Sequence, residues 1–176
     1  KYDELRVMLK ESGKGYDMEM IEKAYVLAEK NHAGQFRKTG EPYIEHPLSV
    51  AAILAELGMD STSIVAAILH DVVEDTAVTI EEVEKEFNKE VALLVDGVTK
   101  LGQIPLSTQE EQQAENLRKM LLAMSKDIRV MIIKLCDRLH NMRTYEGWKP
   151  QKQRDKALEV MEVYAPIAHR LGISNI

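Results

Sequence analysis

Apolar residues recur along most of this chain at intervals of three and four, the spacing that lays one stripe along a helix. Ile21, Ala24, Tyr25 and Ala28 form such a stripe between Asp17, a candidate N-cap, and Gly34, a stop signal. The spacing predicts further helices from His46 or Leu48 to Leu57 and over 62–73, 79–87 and 89–100, with Gly58 and residues 76–79 as breaks. Thr79 followed by Glu82 is a capping-box pair. A helix over 111–124 follows, then one capped by Asp127 whose stripe runs through Ile128, Met131, Ile132, Leu135 and Leu139 and closes over 145–149. The last helix is expected over 152–171, with Pro166 as a kink or break. The first sixteen residues receive no element. Two stretches interrupt the pattern. Residues 34–47, with Gly34, Gly40, Pro42 and Pro47 around Arg37 and Lys38, read as a loop too polar for the core, and 102–113, with Pro105 and Ser107, as a candidate mobile segment. The expected fold is all-α, a compact multi-helix bundle forming a single domain over 1–176.

Composition agrees with helices. Aromatic residues make up 5% of the 176 positions, and the 45% that are apolar are mostly Leu, Ile, Val, Ala and Met, which suit interdigitated helices better than a sheet sandwich. The net charge of −6 argues against a broad footprint for nucleic acid, whose binding rests on neutralising phosphates. That charge is uneven: residues 126–156 carry +5 and the rest of the chain −11, so a small anionic ligand over a locally basic patch stays open. A single cysteine, Cys136, has no internal disulfide partner, which suggests an intracellular, cytoplasmic protein. The longest apolar stretches, near 64–69 and 130–133, fall far short of the ~18 residues of a membrane span. Because the chain starts at Lys1 without Met or a signal-like segment, it is expected to be part of a longer protein.

Chemistry concentrates in two places. His70-Asp71-Val72-Val73-Glu74-Asp75 ends the run Ile64-Val65-Ala66-Ala67-Ile68-Leu69, so polar groups emerge at the edge of a buried helix and need partners there. Helical spacing stacks Glu74 one turn beyond His70 and Asp75 one turn beyond Asp71. In the second place, Asp137 interrupts an apolar helix, with Asn141 and Thr144 at i+4 and i+7. An isolated buried Asp is costly unless paired or metal-bound; a bridge to Arg138 or Lys134 is disfavoured by helical geometry, and one to a distant Arg stays open. His46, before Pro47, completes a His, His-Asp, Asp set. Imidazole nitrogens and carboxylate oxygens without thiolates suit a divalent first-row metal, leaving coordination positions for water and a phosphate oxygen. His32, His169 and the nine methionines read as structural, and His140 is left outside the site.

The order His46, His70-Asp71, Asp137 resembles the HD metal-dependent phosphohydrolase superfamily. More specific are the run from His32-Ala33-Gly34-Gln35-Phe36-Arg37-Lys38 to Ile44-Glu45-His46-Pro47, Val95-Asp96-Gly97-Val98-Thr99-Lys100-Leu101, Glu115-Asn116-Leu117-Arg118-Lys119-Met120, Asp137 to Thr144, and Tyr164-Ala165-Pro166-Ile167-Ala168-His169-Arg170-Leu171-Gly172. These are similar to the amino-terminal hydrolase domain of bifunctional RelA/SpoT-homologue proteins, which make and degrade the alarmone (p)ppGpp. The resemblance implies His46, His70, Asp71 and Asp137 as Mn²⁺ ligands and Glu74 and Asp75 as the acidic pair that activates the attacking water. It also implies Arg37 and Lys38 as basic residues at the nucleotide, and Asn141 and Thr144 as polar residues beside the metal. The implied activity is hydrolysis of the 3′-pyrophosphate of ppGpp or pppGpp to GDP or GTP and pyrophosphate. Synthetase and regulatory domains are then expected beyond Ile176, with no direct nucleic-acid contact by this part and no membrane. Cys136 departs from the family's usual Ala. Two other readings stay open: a hydrolase for another nucleotide, and a catalytically silent nucleotide-sensing module.

Overall fold

The structure, a computed structural model, describes residues 1–102, 115, 118, 122, 127–144 and 149–159, and side chains among them up to 155. They form α1 (Tyr2–Glu11), α2 (Met18–His32), α3 (Glu45–Glu56), α4 (Ser61–Asp75), α5 (Ile80–Glu86), α6 (Lys89–Gly102), α7 (Arg129–Arg143) and α8 (Pro150–Glu159). No strand occurs among the described residues, only an isolated antiparallel bridge between Phe36 and Pro42. The fold is all-α. Of the 111–124 stretch, only Glu115, Arg118 and Leu122 are described, each helical. The expected mobile segment beyond Gly102, the closing stretch 145–148 and the break at Pro166 lie outside the described residues.

Local chemistry accounts for most helix ends. The Asp17 carboxylate accepts the Met20 N–H and starts α2, which buries Ile21, Ala24 and Ala28 and ends at His32, two residues before Gly34 turns the chain at φ +79°. Thr79 and Glu82 close a reciprocal capping box at α5. Asp127 acts one residue earlier than expected: Ile128 occupies the N-cap position of α7, while Asp127 Oδ1 accepts the Arg129 N–H at 3.0 Å. The unassigned amino terminus folds as α1, which buries only Leu5 and Leu9, a two-residue stripe that it lays against α3.

At the centre lies α4, buried without interruption from Ser63 to Val72 and packed by α2, α3, α6 and α7. Burying a Leu or Ile side chain is worth about 1.5–3 kcal/mol, so this helix anchors the core. Against it, α7 is buried on more than the expected stripe. Val130, Met131 and the run from Ile133 to Asp137 are buried, whereas Ile128 is 45% exposed and Ile132 and Leu139 are half-buried. The reason is position, since α7 is enclosed by α3 and α6 and touches α4. Two contacts hold its first turn. Gly97 of α6 lets Val130 approach so closely that a Cβ there would stand 2.8 Å from its Cγ2. Arg129 binds Asp60 before α4 at 2.6 Å, Glu90 on α6 at 2.7 Å and Asp127 at 2.8 Å. The start of α3, the end of α4 and the middle of α7 converge.

Candidate metal centre

His46 enters with the first turn of α3, His70 and Asp71 stand near the end of α4, and Asp137 lies midway along α7. One ligand atom from each falls within 4.8 Å of every other. His46 Nε2 is 2.7 Å from Asp137 Oδ1 and 3.8 Å from Asp71 Oδ2; His70 Nε2 is 3.1 Å from Asp71 Oδ2 and 3.4 Å from Asp137 Oδ1. All four residues are buried.

The donor set fits a divalent cation. His70 Nδ1 donates to the Ala67 carbonyl, which commits that nitrogen and leaves Nε2 as the free donor. Although two carboxylate oxygens are near, Nε2 lies in line with neither and has no hydrogen-bond partner. A buried imidazole nitrogen that lies close to two carboxylates without bonding them is what a metal position among these groups requires. Burial opposes ionisation of Asp71, but His70 outweighs it and holds the carboxyl at about 2. Asp137 lies well below the carboxylate range, against its burial, because of Lys134 and the two histidines. His70 is raised well above its usual value, also against burial, by Asp71 and Asp137.

One expectation is corrected. Lys134 does pair with Asp137: its Nζ is buried and stands 3.2 Å from Oδ2. The adjacent-residue geometry that excludes Arg138 does not apply to Lys134, which sits three positions earlier on the same face. One carboxylate oxygen thus faces the lysine and the other the histidines.

Around this centre, Tyr43 OH donates to Asp71 Oδ2 at 2.8 Å. The 34–44 loop folds back through Arg37 N–H to Glu41 O and Tyr43 N–H to Gln35 O, both 2.9 Å. It carries the Arg37 guanidinium inward, where only 8% of the side chain is exposed. Arg37 Nη2 donates to Asn141 Oδ1 at 2.9 Å, and Nη1 lies 3.0 Å from His140 Nδ1. Glu74 and Asp75 are exposed on the last turn of α4, and burial together with Asp71 pushes both carboxyls above their ordinary range. Lys38 is exposed on the loop, and the Thr144 hydroxyl donates to the His140 carbonyl at the end of α7. The geometry therefore joins Arg37 and Asn141, sets Glu74 and Asp75 beside the ligands, and leaves Lys38 and the Thr144 hydroxyl apart.

Three contributors stand outside the expected site: Tyr43, which sequence reasoning does not single out, Lys134, which it sets aside on helical geometry, and His140, which it considers as a neighbour of the ligands but leaves out. His140 Nδ1 lies 2.6 Å from His46 Nδ1, and burial with the charges of His46 and Arg37 pushes His140 down to about 3. Lys134 and His140 stand three residues either side of Asp137, so the helical spacing that marked Asn141 also marks them.

Comparison with known proteins gives relatives 52–55% identical to this chain. One from Myxococcus xanthus, named GTP pyrophosphokinase, is 55% identical over 91% of this chain and 22% of its own length. One from Haemophilus influenzae, named guanosine-3′,5′-bis(diphosphate) 3′-pyrophosphohydrolase, is 53% identical over 86% of this chain and 22% of its own. The bifunctional (p)ppGpp synthase/hydrolase SpoT of Escherichia coli is 52% identical over 89% of this chain and 22% of its own. The chain thus spans about a fifth of the length of these relatives. A solved structure described as a metazoan ortholog of SpoT that hydrolyzes ppGpp and plays a role in starvation responses superposes with a TM-score of 0.62. It is 28% identical, covering 88% of this chain and 96% of that one. The family description "HD domain" matches residues 24–174. That match takes in all four residues of the centre, and the chain belongs to the HD-domain family.

Proposed function

We propose that this chain is the hydrolase domain of a longer (p)ppGpp-metabolising protein and removes the 3′-pyrophosphate of ppGpp or pppGpp, giving GDP or GTP and pyrophosphate. The observation that carries the reading is the buried His46, His70, Asp71, Asp137 cluster with its unpartnered imidazole nitrogen. It is supported by relatives whose names include that hydrolysis. Mn²⁺ is the ion we propose for the cluster; a divalent ion, when bound, lowers the pKa of water and polarises a phosphate oxygen. Asp71 and Asp137 hold negative charge in a buried site; Lys134 fixes the Asp137 oxygen that faces away from the histidines, and Tyr43 donates to the Asp71 oxygen that faces them, orienting both carboxylates. Glu74 and Asp75, raised by burial and by Asp71, stand beside the ligands where a carboxylate can take a proton from the attacking water. Arg37 and Lys38 meet the nucleotide's negative charge, with Asn141 holding the Arg37 guanidinium and Thr144 closing the helix beside it. An acidic protein can therefore bind a highly anionic nucleotide locally.

The protein works in the cytoplasm on this reading, with synthetase and regulatory domains in the remaining length of the parent protein. The decisive experiment measures pyrophosphate release from ppGpp by the purified chain with and without Mn²⁺, using Asp71→Ala as control. Mn²⁺-dependent release, absent in the variant, is expected. Consumption of a deoxynucleoside triphosphate instead would support hydrolysis of another nucleotide, and binding without turnover a sensing module.

A further inference from the structure

Arginine N–H groups only donate, so the contact of Arg37 Nη1 with His140 Nδ1 at 3.0 Å fixes that ring nitrogen as an acceptor. The guanidinium is held in this orientation by Asn141 Oδ1 at 2.9 Å, with the Glu41 carboxylate 3.9 Å from Nη1. His46 Nδ1 lies 2.6 Å from the same His140 nitrogen. Two acceptors cannot share a hydrogen bond, so His46 must carry its proton on Nδ1 and donate, and the one lone pair of His140 Nδ1 is shared between the two donors in a three-centre bond. Its other nitrogen, Nε2, is the one that faces Asp71 and Asp137. A histidine that binds a metal through Nε2 needs Nδ1 protonated and held by an acceptor. For His70 the Ala67 carbonyl is that acceptor. His46 has no carbonyl in that place, and the chain Arg37–His140–His46 supplies the acceptor instead.

We infer that His140 is a positioning residue that fixes the tautomer and ring orientation of His46, so that Nε2 is presented to the divalent cation, and that Arg37 sets His140 in that role. This rests on the reading of His46 as a metal ligand. It adds that the arginine assigned to the nucleotide also supports the metal shell, although it touches no ligand.

The test measures Mn²⁺ affinity by calorimetry on the purified chain without nucleotide, for wild type, His140→Ala, His140→Gln and Arg37→Met, with far-UV circular dichroism to check folding. The Gln side-chain carbonyl has two lone pairs and can accept from both neighbours. Loss of an outer-shell partner should weaken binding by about 10-fold or more in His140→Ala, while His140→Gln stays within about threefold of wild type. Arg37→Met should also weaken Mn²⁺ binding, and combining it with His140→Ala should add little further loss. If His140→Ala binds Mn²⁺ as tightly as wild type, or His140→Gln binds as weakly as His140→Ala, the positioning role is overturned. Absence of Mn²⁺ binding in wild type would overturn the ligand reading itself, a distinct result. Should His140→Ala fail to fold, imidazole ¹⁵N spectra of Zn²⁺-loaded wild type decide the matter: a proton on His46 Nδ1 and none on His140 Nδ1 is expected, and the reverse overturns the proposal.

Discussion

Asp71 and Glu74 lie one turn apart on α4, yet the first is buried in the cluster and the second is exposed beside it. Their substitutions should therefore separate. Asp71→Ala is expected to abolish both Mn²⁺ binding and turnover while keeping the helical fold. Glu74→Gln should retain the metal and lose about 100-fold or more in kcat, the scale of a lost proton-transfer group. Calorimetry paired with pyrophosphate release distinguishes them, and equal metal loss in both variants would contradict the division of labour. At this scale the sequence was most informative where polarity broke an apolar run: His70, Asp71 and Asp137 stood out because burial makes a lone polar group costly. His140 and Lys134 did not stand out. Lys134 pairs with Asp137 along its own helix and is set aside with Arg138, whereas the partners of His140 arrive from α3 and from the 34–44 loop, and the spacing of one helix carries no information about what crosses it. Cys136 is buried, and burial pushes its thiol up to about 12, in keeping with a core role.

Between elements, the placement of α7 against α6 is the contact that sets Asp137. Gly97→Ala would gain up to ~1 kcal/mol of helix propensity but force a methyl against the stiff Val130 side chain, an overpacking cost of about 1–3 kcal/mol. A net loss of about 1 kcal/mol is expected, read as a Tm lowered by roughly 2–4 °C. Weaker Mn²⁺ binding should accompany it as α7 shifts. The Arg129 cluster adds a pH dependence. Hydrogen bonding to Arg129 lowers the Asp127 carboxyl below its usual 3.8. Because the folded value is depressed, this contribution is complete above the unfolded value and fades as pH falls through the folded one. Thermal melts between pH 6 and pH 3 should show wild type losing more stability on the acid side than Arg129→Gln. Helix ends were legible wherever a side chain caps the backbone, as at Asp17 and Thr79. The first helix escaped notice because two leucines make too short a stripe, and the burial of α7 was underestimated because enclosure by neighbours, not amphipathicity, sets it.

For the whole molecule, the all-α class followed from spacing and composition together, since neither a sheet-forming alternation nor an aromatic-rich core is present. The basic excess of 126–156 is partly spent internally, with Arg129 and Lys134 committed to carboxylates. A divalent ion that binds only the folded chain should raise its stability by about 2.7 kcal/mol at a hundredfold excess over Kd. Scanning fluorimetry with Mn²⁺ should record that rise, EDTA should reverse it, and Asp71→Ala should show none.

His46 and Asp137 touch across 91 residues of chain, and their cluster joins the start of α3, the end of α4 and the middle of α7. A cation shared by these positions would close that long loop as a cross-link does, and would have to leave before any of the three helices could peel away. Its main effect would then fall on the rate of opening. Where proteases act on transiently opened chains, the lifetime of the protein would become a readout of free divalent metal.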